Sequence, residues 1–169
     1  MATQKIFYGA WVSMTVTNLN SLASSATAGW QGARVDNQTS QLAVDYEILV
    51  ELDMANTAPA NDKAVYVFIS PGIYDGSAWH QADGGTTTMP SGSEGTYTIA
   101  GVTTTNNLDL LRALAYTTQN QNVQGIMRLS DLYDSMPDGW VPIIVNYSGA
   151  ALAASGNTVA YRPIFYTVA

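Results

Sequence analysis

The sequence predicts an all-β chain: a single antiparallel β-sandwich, jelly-roll-like, with about eight strands and a short N-terminal arm. Three observations carry that expectation. Leu42 to Asp53 alternates apolar and acidic side chains with period two. Runs rich in β-branched and aromatic residues recur down the chain, separated by clusters of Gly, Pro, Asn, Asp and Ser. The composition is 47% hydrophobic but only 11% charged, with 10 Tyr, which suits strands under a neutral, hydrogen-bonding surface.

Each element follows from its local pattern. Ile6, Phe7, Tyr8 and Trp11 precede the first patterned strand. Aromatics this dense need a surface to bury them, either their own sandwich or a neighbouring subunit on which residues 1–11 dock as an arm. Residues 12–169 form the sandwich domain. Val12 to Leu19 reads as a strand with Val12, Met14 and Val16 inward. In Leu42 to Asp53 the inward set is Leu42, Val44, Tyr46, Ile48, Val50 and Leu52, and Asp45, Glu47, Glu51 and Asp53 face outward. Lys63 to Ser70 is apolar on both faces and suits a central strand covered on both sides, or one beneath a partner. Asn107 to Tyr116 fits a helical stripe or a strand, and its β surroundings favour strand. Val123 to Tyr133, Trp140 to Tyr147 and Asn157 to Val168 complete the set. Pro142 and Pro163 lie inside the last two, so those points should be edges, strand starts or bulges. Turns are expected at 56–62, 71–72, 83–85, 91–95, 137–139 and 155–157. No repeat or linker divides the chain.

Composition excludes several chemistries. There is no Cys and one His, so no thiolate zinc site, disulfide framework or Cys nucleophile can form. Six basic residues, scattered among 13 acidic ones, make no phosphate-tracking groove, and nucleic acid is not an expected partner. A domain of this length buries roughly 70% of its unfolded surface, enough for a true core. No apolar run reaches membrane-spanning length, and the N-terminus does not read as a signal peptide. Asn-x-Ser/Thr triplets at Asn37 and Asn146 read as chance.

Three places could carry function. His80 lies beside Trp79, with Asp75 and Asp83 close in sequence, but no G-x-S-x-G elbow accompanies it. The acidic strand face spaces its carboxylates about 6.6–7 Å apart at the backbone. That face reads as solvated surface, as a dock for a basic partner, or as a carboxylate or metal site, although no calcium-loop pattern occurs. The long polar segment from Tyr74 to Tyr97 carries Trp79, which either closes the core as a lid or presents a ring to glycan or protein. No cofactor or metal is expected.

The C-terminal half carries a resemblance. Pro137-Asp138-Gly139-Trp140 opens an apolar strand, Asn146-Tyr147-Ser148-Gly149-Ala150-Ala151-Leu152 turns, and a closing strand holds Tyr161 and Pro163. Upstream, Leu19-Asn20-Ser21-Leu22-Ala23-Ser24 and Ala33-Arg34-Val35-Asp36-Asn37 match in style. Together these resemble small structural proteins of tailed-bacteriophage virions. The resemblance implies a β-sandwich or jelly-roll protein without catalytic residues, either a head decoration (cement) protein or a small tail component. The expectation is a non-enzymatic protein of the virion, assembled in bacterial cytoplasm. Its partner would be the major capsid protein or another virion protein, and it would self-associate, with a trimer favoured. Contact residues would be Phe7, Tyr8 and Trp11 together with Asp45, Glu47, Glu51 and Asp53. The alternative is a tail or receptor-binding module that recognises host glycan through Trp79 and His80.

Overall fold

Strand β5 (Asp45–Asp53) shows how the alternation is used. Tyr46, Ile48, Val50 and Leu52 are fully buried between two sheets, while Asp45, Glu47, Glu51 and Asp53 project from the opposite face. The computed structural model describes residues 4–60, 64–81, 89–99 and 108–168. The expected turn at 83–85 lies outside those residues, as do Lys63 and Asn107. The other strands are β1 (Gln4–Tyr8), β2 (Val12–Ser13), β3 (Ala28–Gln31), β4 (Val35–Asp36), β6 (Ala64–Tyr74), β7 (Trp79–Gln81), β8 (Gly95–Thr98), β9 (Asp109–Ala115), β10 (Asn122–Arg128), β11 (Gly139–Asn146) and β12 (Thr158–Val168).

All pairing is antiparallel. One sheet runs β1-β12-β5-β10, with β2 also on β12. The other runs β7-β6-β11-β3-β8, with β4 also on β11 and β9 also on β6. The described strands therefore number 12, not about eight. The excess has a simple origin. β1 and β2 share one side of β12, β3 and β4 share one side of β11, and β7 and β8 lie in the connection from β6 to β9. Eight positions remain. In chain order, one sheet takes the first, eighth, third and sixth, and the other takes the second, seventh, fourth and fifth. That is the jelly-roll arrangement of two interlocked Greek keys.

The two prolines explain why those strands are broken. Pro163 accepts from Gly9 N–H at 2.8 Å, and Pro142 accepts from Gly32 N–H at 2.9 Å. A strand residue points its N–H and C=O the same way, so each proline turns its missing donor toward the gap in the neighbouring strand. A glycine fills each gap. A Cβ on Gly9 would stand 2.8 Å from the Pro163 ring, and one on Gly32 would stand 2.8 Å from the Pro142 ring. Both prolines thus sit inside central strands, at interruptions in the partner.

Other boundaries moved. Only Val12 and Ser13 of the Val12–Leu19 segment pair as strand. Asn18 then donates from its backbone N–H and its Nδ2 to Glu94, and the chain turns to bury Leu19 completely. Leu42 and Val44 are 70% and 42% exposed rather than inward. Leu42 ends a one-turn π-helix (Asn37–Gln41) in the left-handed region, before the strand alternation starts. Within the Asn107–Tyr116 segment, Asp109–Ala115 forms strand β9. The Val123–Tyr133 run stops at Arg128, where a 3-10 turn (Leu129–Asp131) begins. β1 lies along β12 of its own sheet, with all five of its residues exposed.

The core between the sheets centres on Trp140, which meets Tyr46 and Tyr161 edge-on at 5.3 and 5.5 Å. A second apolar cluster lies on the outer face of β6 and β11. There Met89 and Ile99 cover Val141, Ile143 and Val145. β11 is therefore buried along its whole length. The Asn146–Leu152 motif is a buried lock: Asn146 Nδ2 donates to Leu22 O and Ala150 O, and its Oδ1 accepts from Ser148 N–H and Oγ–H. Asn37 is likewise buried, bonded to Tyr46 OH and Ala43, so neither triplet presents its amide to a glycosylating enzyme in the folded chain.

Candidate functional site

The outer face of the β1-β12-β5-β10 sheet gathers most of the residues singled out in the sequence. Register builds its centre: Arg128 of β10 and Arg162 of β12 both stand opposite Glu47 of β5. Arg128 donates from Nε and Nη2 to Glu47 Oε1 at 3.2 and 2.9 Å, and Arg162 donates from Nε to Oε2 at 2.7 Å. Burial alone would raise the Glu47 pKa. The hydrogen bonds from Arg128 and Arg162 outweigh it and hold the carboxyl below its ordinary value.

Aromatic rings close over the arginines. The Arg162 guanidinium lies 4.6 Å from the Tyr8 ring centre and 4.8 Å from that of Trp11. Arg128 Nη2 also donates to Tyr8 OH at 2.9 Å, and the Glu47 and Tyr8 bonds together raise the Arg128 pKa. Tyr8 and Trp11 are still 40% and 39% exposed. Ile6 and Tyr166 stand opposite each other across β1 and β12, and Ile126 is open on β10. The result is an apolar and aromatic face around a paired charge cluster. Large exposed apolar patches rimmed by polar groups are a property of interaction surfaces. Phe7 faces the other way, stacked on Phe165 at 6.2 Å.

The acidic set is not an open carboxylate surface, as its local pattern suggested. Asp45 and Glu47 are buried. Asp45 accepts from Ser130 N–H and Oγ–H at 3.0 and 2.8 Å and from Tyr46 N–H, which fixes the 3-10 turn after β10. Asp53 accepts from Asn122 Nδ2 at 2.7 Å. Glu51 is half-buried, between Gln124 and Thr158 in register. The partners come from strands far away in sequence, which a single-strand pattern does not show. Arg128, Arg162, Ile126 and Tyr166 were missed for that reason. Their one sequence signal is that each lies at an outward position of its own strand.

Trp79 and His80 lie elsewhere, on β7. Trp79 packs on Tyr74 with ring centres 5.1 Å apart, and the Arg34 guanidinium lies 4.4 Å from its ring centre. It folds onto the outer β6–β11 cluster rather than standing free. His80 Nε2 lies 2.8 Å from Asp75 Oδ2. Asp75 also accepts from Ser77 and Ala78 backbone N–H and from Ser77 Oγ–H. Those backbone bonds, with His80 and Ser77, hold its carboxyl far below the usual carboxylate range. A hydrolase relay places the imidazole between hydroxyl and carboxylate. In this turn the carboxylate stands between hydroxyl and imidazole.

Among the described residues, no three His, Asp or Glu side chains converge as a metal site. Comparison with known protein families, with curated proteins and with solved structures returns no match.

Proposed function

We propose that this chain is a non-enzymatic structural protein of a tailed-phage virion, most simply a decoration protein that clamps the capsid shell. The fold does not choose this by itself, because jelly rolls serve capsid and lectin domains alike. The sequence resemblance points to the virion, and the exposed face around Tyr8, Trp11, Tyr166 and Ile126 is the observation that carries binding. Each seated copy would cover apolar area that must separate before the shell ruptures. Several weak seats acting together would hold tightly. The aromatic rings are pre-set by Arg162 and Arg128, so little side-chain freedom is lost on docking.

The test is co-sedimentation of the purified chain with shells that lack it, against a Trp11→Ala/Ile126→Ser double variant. Binding by the wild type with loss in the double variant is expected. No binding to shells, or equal binding by both proteins, overturns the reading. Glycan recognition through Trp79 has less support, because Arg34 and Tyr74 already pack against that ring.

A further inference from the structure

The β1 edge has a pattern of free backbone groups that is symmetric about Ile6. Gly9 N–H donates to Pro163 O, and Lys5 O accepts from Thr167 Oγ1–H. Gly9, Phe7 and Lys5 thus aim their backbone groups at β12, and Gln4, Ile6 and Tyr8 aim theirs away. Among the described residues, no strand pairs with that outer edge. Natural sheets usually protect an edge with charges, proline or a bulge. β1 carries one charge, Lys5, and no proline, and its register on β12 is regular.

We propose that this edge joins two copies of the chain, with β1 pairing antiparallel to β1 about a two-fold axis at Ile6. In that register Gln4 faces Tyr8 of the second copy and Ile6 faces Ile6, giving about six backbone hydrogen bonds. Lys5 falls opposite Phe7, so no like charges meet. The two sheets become one continuous sheet. A net charge of −7 opposes self-association in general. β1 contains no acid and lies beside Arg162 and Arg128, so two copies repel least there.

The area is adequate and modest. Ile6, Phe7 and Tyr8 are 57%, 55% and 40% exposed. At roughly 100 Å² each, with Gln4, Lys5 and the backbone edge, the pair covers on the order of 1,000 Å² in total. That is the lower end for a specific interface, the size class of weak and transient complexes.

Ile6→Pro is the discriminating variant. Its N–H faces away from β12, so proline removes a donor the monomer does not use. Sedimentation at roughly 100 µM should show dimeric wild type and monomeric Ile6→Pro, with equal melting temperatures once both are diluted to monomer. The chain has no cysteine, so Ile6→Cys gives a second reading that survives if the proline variant misfolds. Its paired Cα atoms would stand about 5.5 Å apart, within disulfide reach, and oxidation should link two copies. Ile126→Cys, equally exposed on β10, should not link. A monomeric or trimeric wild type, a dimeric Ile6→Pro, or an Ile6→Cys protein that stays unlinked overturns the proposal. The measurement uses the isolated chain, so its outcome is independent of whether shells are bound.

Discussion

Replacing Glu47 by Gln keeps the shape of the outer cluster and removes the charge at its centre. Two guanidiniums then lose their shared carboxylate, while Tyr8 and Trp11 still cover one of them. Removing one partner of a fully buried ion pair costs about 3–5 kcal/mol, and an exposed pair contributes about 0–1 kcal/mol. The Glu47 side chain is 9% exposed, whereas Arg128 and Arg162 are 43% and 28% exposed, so water screens the arginine side. The expected loss is therefore intermediate, about 2–3 kcal/mol at neutral pH. That corresponds to a melting temperature lower by about 5–10 °C for a chain of this size. Urea titration should show a lower midpoint with an unchanged slope. The pH dependence supplies the sharper check. The folded pKa of Glu47 lies below its ordinary value of 4.5, so its stabilising effect is full above that value. It fades as pH falls through the lowered folded pKa, where wild-type Glu47 becomes neutral as well. The gap between wild type and Glu47→Gln should thus close in acid. A gap that is absent at neutral pH, or that stays constant into acid, would refute this account of the cluster.

Two further substitutions test other parts of the structure. Asn146→Ala removes four hydrogen bonds from a buried turn: Leu22 O keeps Leu152 N–H and Ala150 O keeps Ser148 Oγ–H, but Ser148 N–H loses its acceptor, and the change should cost about 2–3 kcal/mol by urea titration. Gly139→Ala would place a Cβ 2.6 Å from the Trp79 ring and 3.0 Å from Val35 O. It should displace Trp79 and red-shift tryptophan fluorescence, and the shift should vanish in a Trp79→Phe background.

How far the sequence could be read depends on the range of the physics involved. The β5 alternation was legible because period two is a property of one strand and its two faces. Of the two readings of the apolar segment before Ser70, coverage on both sides holds for Ala64–Ser70, since β6 has the sandwich core on one side and the outer cluster on the other. Pro142 and Pro163 announced broken pairing, but not that the break would fall in the neighbouring strand. That difference accounts for two of the four strands beyond eight, and β7 and β8, in the connection from β6 to β9, are the other two. The acidic face was misread as open surface because its neutralising partners, Arg128 and Arg162, are fixed only by register across three strands. Leu42 and Val44 continued the alternation on paper, but the cap of the preceding helical turn takes the chain out of the strand before Asp45. The outer cluster was half legible. Tyr8, Trp11 and Glu47 do come together, and the arginines that join them do not announce themselves locally.

The pairing of β1 with β12 also sets the order in which this chain can mature. β1 is made roughly 150 residues before the strand that receives it, about ten seconds at common translation rates. During that interval Ile6, Phe7 and Tyr8 have no sheet to join. Contacts between such distant segments are the slowest to form, because loop closure must precede any gain from pairing. A truncated product lacking β12 would therefore leave an apolar, unshielded strand permanently unplaced. β1 can take its place in the sheet only once β12 has been made.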